Sequence, residues 1–105
     1  MDSAIFAIAR ELKECLAPIC ELRDFRVFGS RARTDFAGDS DLDVYIVVIT
    51  LNGEIKQKIF DACWEIGFAH NLVISPLIVT FAEVTQTALR AAPIIRNINR
   101  EGVAV

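Results

Sequence analysis

Residues 41–50 read DLDVYIVVIT, and no other stretch limits the fold as tightly. β-branched residues run through it, and Leu42, Val44, Ile46 and Val48 recur with the period of two that places them on one face of a strand. A run this apolar is expected at the centre of a sheet. Two carboxylates stand at its start. Successive strand side chains point to opposite faces, so Asp41 and Asp43 project from the same side, ~6.6 Å apart along the backbone at a rise of ~3.3 Å per residue. At ~5 Å and an effective dielectric of ~20, two such charges repel by about 3 kcal/mol, which a marginally stable domain keeps only with a cation between them. A hard divalent ion fits, and Mg²⁺ in particular takes one or two carboxylates and completes its shell with water and phosphate oxygens.

The other elements are arranged around this strand. Asp2 and Ser3 can cap a helix whose apolar stripe is Ile5, Ile8, Ala9, Leu12, Leu16, Ile19 and Cys20, with Pro18 kinking or ending it. DFRVF at 24–28 alternates as a strand and runs into Gly29-Ser30. Asn52-Gly53 is expected to turn the chain into a second helix that carries Ile55, Ile59, Ala62, Cys63 and Ile66 and closes near Gly67. LVISPLIVT at 72–80 is a third strand, and Pro76 puts it at an edge or on a bulge. Helices over 82–91 and 93–101 follow, the second begun by Pro93 and closed by Gly102. The order α, β, α, β, α, β, α, α defines one domain over residues 1–105, an α/β (α+β) layer with a small mixed sheet of three or more strands flanked by helices.

Composition narrows the function classes. A hydrophobic share of 53% exceeds the roughly 45–50% usual for soluble domains, so apolar surface is expected to need a protein partner, with self-association one way to supply it. No apolar run approaches the ~18 residues of a membrane span, and MDSAIFAIARELKECL has no basic leading segment of an export signal. Cys15, Cys20 and Cys63 form no CxxC pair, which points to a reducing, cytoplasmic setting. Net charge is −3, so direct nucleic-acid binding is not expected, yet the charge is uneven. Arg23, Arg26, Arg31 and Arg33 precede Asp35, Asp39, Asp41 and Asp43.

That junction reads GSRARTDFAGDSDLD. Gly29 permits a tight bend and close approach to a ligand, and Ser30 brings a hydroxyl and the start of a segment whose N–H groups can face an anion. Arg31 and Arg33 add charge-assisted donors. A strand–turn–strand path returns this phosphate seat to Asp41 and Asp43, and the two together describe a site for a metal-bound nucleotide. Each piece alone is ordinary turn chemistry. GS, then RxR, then SDxD leading into a buried strand is more than a turn requires.

GSRARTDFAGDSDLDVYIVV resembles the glycine-serine and paired-aspartate core of the polymerase beta nucleotidyltransferase superfamily, in particular the minimal nucleotidyltransferases (MNT proteins) that pair with HEPN proteins. The resemblance extends to the flanking helices, to VISPLIV and to the ending PIIRNINREGV. It implies a polymerase beta-like fold and nucleotide phosphates at Gly29 and Ser30, with Arg31, Arg33 and Ser40 completing the nucleotide-binding set. One or two Mg²⁺ ions are implied at the catalytic Asp41 and Asp43. The implied reaction carries a nucleoside monophosphate from an NTP, expected to be ATP, to a hydroxyl; a tyrosine on a HEPN ribonuclease toxin would make the chain an antitoxin. Two features depart from the family pattern. Thr34 stands where glycine is usual, and the strand expected to bring a third carboxylate carries none. Ser75 or Asn71 occupies that place, and Glu83 is the nearest acid beyond it. Asp61, Glu65, Arg96 and Arg100 read as exposed faces, His70 as a capping or surface residue, and Phe60 and Trp64 as core or partner contacts. A contact-only antitoxin on the same fold is the competing expectation.

Overall fold

The computed structural model describes residues 1–33 and 40–105. Thr34, Asp35 and Asp39, singled out above, lie outside the described residues. Helix α1 (Ser3–Leu16) starts where Asp2 Oδ1 accepts the Ala4 N–H at 2.6 Å, and it ends two residues before Pro18. Strand β1 (Leu22–Phe28) follows, then a 3₁₀ turn at Gly29–Ala32. Strand β2 (Leu42–Val48) leads to α2 (Gly53–Ala69) and strand β3 (Ile74–Thr80). A short α3 (Phe81–Gln86), a 3₁₀ turn at Ala88–Ala91, α4 (Pro93–Glu101) and a two-residue β4 (Val103–Ala104) complete the chain.

The sheet is ordered β3-β2-β1-β4, with β2 parallel to β3 and antiparallel to β1, and β1 antiparallel to β4. It is therefore mixed, and β2 lies inside it as expected. Leu42, Val44, Ile46 and Val48 pack on one side against Ile5, Ala9, Leu12 and Leu16 of α1 and Ile59, Ala62, Cys63 and Ile66 of α2. On the other side Tyr45 and Val47 meet Val79 and α4's Ile95 and Ile98. A strand covered on both faces explains why the period-two pattern is apolar in both registers. β3 takes the edge, where Pro76 removes one N–H without breaking an inner ladder.

The helix expected over 82–91 and the segment after Gly102 differ from expectation, and the ends of α2 gain detail. Asn52 caps α2, its Oδ1 accepting the Ile55 N–H at 2.8 Å, so Asn52-Gly53 begins the helix directly. α2 runs past Gly67 to Ala69. Its end is a Schellman cap in which Asn71 is left-handed (φ 56°), Leu72 N–H reaches the Gly67 carbonyl at 2.9 Å and Asn71 N–H that of Phe68 at 3.2 Å. Gly67 is required for packing, since a Cβ there would stand 2.6 Å from the Leu72 carbonyl oxygen. The 82–91 helix is broken at Thr87, which is extended (φ −120°, ψ 173°) and accepts the Leu89 N–H. Gly102 leads straight into β4, a strand too short for any alternation to reveal.

Candidate active site

The site forms where β1 hands over to β2. Antiparallel pairing puts Phe28 opposite Asp43, so the bend that follows Phe28 arrives beside the first turn of the acidic strand. Gly29 sits at φ +71°, a conformation L side chains avoid. Its Cα faces Asp43, and a Cβ built there would collide with Asp43 Oδ2. Glycine is thus demanded twice, by its torsion and by the carboxylate against it. The bend tightens through Arg33 N–H donating to the Ser30 carbonyl at 3.1 Å.

Asp43 is half-buried and Asp41, one residue before β2, is exposed. Burial, and then the neighbouring Asp41 charge, hold the Asp43 carboxyl above its ordinary value of 3.8. The direction is the one expected for a partly desolvated carboxylate with a like charge nearby. On the other side of β2, Ser75 is in register with Asp43, and its hydroxyl donates to Asp41 Oδ2 at 3.2 Å. Gly29, Asp43, Asp41 and Ser75 therefore form one connected group. Among the described residues no cluster of three or more acidic, histidine or cysteine side chains that could hold a metal ion exists, and Asp41 and Asp43 are the two described carboxylates brought together here. Two carboxylates with all-oxygen donors suit Mg²⁺, which needs only one or two from the protein.

Arg31 is buried, 7% exposed, and its Nε donates to the Ser40 carbonyl at 2.9 Å. This bond ties the turn after β1 to the residue ahead of Asp41, so Arg31 joins the two halves of the site. Sequence reasoning placed Arg31 with the nucleotide phosphates and missed this contact, because nothing local marks an arginine that will be buried. Arg33 is exposed at the end of the turn, and Ser40 is half-buried.

Topology separates Ser75 from Glu83, two of the candidates named above for the third position. β2 and β3 run parallel, with Asp43 beside Ser75 and Val48 beside Thr80. Glu83 closes a capping box with Thr80 at that far end, roughly 16 Å along the strands from Asp43 at ~3.3 Å per residue, and cannot complete the site. Asn71 is spent on the helix cap, which leaves Ser75 in the place. His70 Nε2 meets Glu11 Oε2 at 2.9 Å and links α2 to α1. Asp61, Glu65, Arg96 and Arg100 are exposed, as expected. Trp64 is 68% and Phe60 42% exposed, which removes them from the core. Trp64 stacks on Phe68 with centroids 5.2 Å apart, and Val73 continues this apolar surface toward the start of β3.

The mixed α/β layer, with Asp43 seated against a glycine bend and Asp41 just ahead of it, has a nucleotidyltransferase-like fold. The chain belongs to the nucleotidyltransferase domain family, which it matches over residues 9–105. Its fold is similar to a protein of Sulfolobus solfataricus with a proposed nucleotidyltransferase activity, solved at 1.40 Å; the TM-score is 0.58 at 18% identity, over 96% of this chain and 78% of that one. A search of curated protein sequences gave no significant match. No helix among the described residues is long and apolar enough to cross a membrane.

Proposed function

We propose that this nucleotidyltransferase is Mg²⁺-dependent and moves a nucleoside monophosphate, AMP from ATP, to a hydroxyl on a HEPN-family toxin, so that it acts as an antitoxin. The observation that carries the reading is Asp43 seated against Gly29 with Asp41 beside it. Asp41 and Asp43 hold the ion, while the Gly29-Ser30 bend and Arg33 receive the triphosphate. The bound ion supplies Lewis-acid activation of the acceptor and offsets charge on the departing pyrophosphate. The acceptor oxygen forms a bond to the α-phosphorus, the bond from that phosphorus to the bridging oxygen breaks, pyrophosphate leaves, and the hydroxyl proton passes to solvent. The exposed Phe60, Trp64, Phe68 and Val73 support a protein partner as the source of that hydroxyl.

The same apolar surface, with two carboxylates in the site among the described residues, favours a second reading in which the chain neutralises its partner by contact. One experiment separates the two. The chain is incubated with the partner, Mg²⁺ and α-labelled ATP, and the partner's ribonuclease activity is followed in parallel. Label transfer that is lost in Asp43→Asn, together with loss of protection, supports catalysis. Protection that survives Asp43→Asn without label establishes contact.

A further inference from the structure

Asp43 and Asp41 are held in different ways. Asp43 belongs to both ladders of β2, opposite Phe28 on one side and Ser75 on the other, and its carboxylate abuts Gly29. Asp41 precedes the strand and is exposed; the ladder to β3 starts one residue later, at Leu42, whose N–H donates to the Val73 carbonyl at 2.8 Å. An exposed aspartate next to a like charge gains by rotating away into water, and its torsions alone do not prevent this. Ser75 does. Its hydroxyl reaches back from β3 to Asp41 Oδ2, and the register places it beside Asp43, so the bond draws the outer carboxylate toward the inner one.

We infer that Ser75 is a positioning residue that holds Asp41 in the orientation needed to share a divalent cation with Asp43. A serine suits this task because it donates one hydrogen bond without adding charge. The bond occupies one acceptor site on Oδ2, and the remaining carboxylate lone pairs stay open to the ion. Ser75 acts through Asp41 alone. The inference rests on the reading of Asp41 and Asp43 as the ion's ligands.

The test uses Mn²⁺ as the probe, with the purified full chain and neither nucleotide nor partner. Affinity is measured by electron paramagnetic resonance in the parent, Ser75→Ala, Ser75→Thr, Asp41→Asn and Ser75→Ala/Asp41→Asn. A hydrogen bond to a charged acceptor leads us to expect about tenfold weaker binding in Ser75→Ala. Ser75→Thr restores affinity to within about twofold, because the hydroxyl returns on a residue that strands accept. In the Asp41→Asn background Ser75→Ala has no further effect, since the charged carboxylate that it would orient toward the ion has become a neutral amide. Parent-like binding by Ser75→Ala, or a loss that persists in the Asp41→Asn background, overturns the inference while the carboxylate reading stands. Equal binding by parent and Asp41→Asn overturns that reading and the inference with it. Circular dichroism melts confirm that each variant is folded at the measuring temperature.

Discussion

Gly29→Ala is the sharpest probe of the site, because its two consequences separate. At φ +71° an alanine costs roughly 1–2 kcal/mol relative to glycine. Its Cβ also overlaps Asp43 Oδ2, and the carboxylate can clear it by leaving its rotamer at a cost of about 0.5–1.5 kcal/mol. The sum, about 1.5–3.5 kcal/mol, is smaller than the ~5–15 kcal/mol of a typical domain, so the variant folds. At ~4–8 °C per kcal/mol for a domain of this size, Tm falls by roughly 6–28 °C. The displaced carboxylate has a further effect: moving a reacting or ligating group by ~1 Å costs about a hundredfold in rate. Label transfer is therefore assayed well below the variant's Tm, where unfolding contributes nothing, alongside Mn²⁺ affinity. Gly53→Ala is the control. Nothing lies within 4 Å of a Cβ there, it opens α2, and its stability and activity stay at or above those of the parent. A Gly29→Ala variant that melts early but keeps parental Mn²⁺ affinity and rate would refute the argument, since Asp43 would then not depend on the glycine.

The raised Asp43 carboxyl predicts opposite pH trends for stability and metal binding. The folded state holds this proton more tightly than the unfolded chain, so Asp43 favours folding below about pH 3.8, and that contribution is lost as pH climbs through the elevated folded value. Mn²⁺ affinity rises over the same interval because the ion displaces the proton. Asp43→Asn flattens both profiles and, without metal, melts at or above the parental temperature at pH 7; parallel profiles for parent and variant would contradict the assignment. The thiols offer a check on packing. Cys15 is exposed, whereas Cys63 is buried and its thiol is pushed up to about 12 by that burial, so iodoacetamide at pH 8 labels Cys15 fast and Cys63 only on unfolding. Rapid modification of Cys63 in the native chain, read by peptide mass, would show that α1 and α2 do not pack as described.

Much of the fold was legible because its signals are local. DLDVYIVVIT announces a central strand by its own composition, and Pro76 announces an edge by the hydrogen bond it cannot make. Gly67 marked the end of α2 for a different reason from the usual one: glycine ends helices when it adopts the left-handed conformation, but here it makes room for the Leu72 carbonyl, and Asn71 takes the left-handed place. The break at Thr87 and the two residues of β4 depend on tertiary contacts that no window of sequence displays.

The site was legible to the same degree and stops at the same boundary. Gly29 follows β1 and Asp43 lies in β2, two strands consecutive in the chain, so the antiparallel pairing of neighbours brings the glycine to the carboxylate. The bond from Ser75 to Asp41 spans 34 positions and exists only because β2 and β3 pair in one register. A slip of one residue between parallel strands would turn Ser75 to the opposite face and bring Ile74 or Pro76 beside Asp43. Such a slip would also push Ile74 and Ile78 out of the core formed with α1 and α2. The apolar packing that covers one face of β3 therefore fixes the hydroxyl on the other face, and in this way burial of Ile74 sets the geometry of a carboxylate pair it never touches.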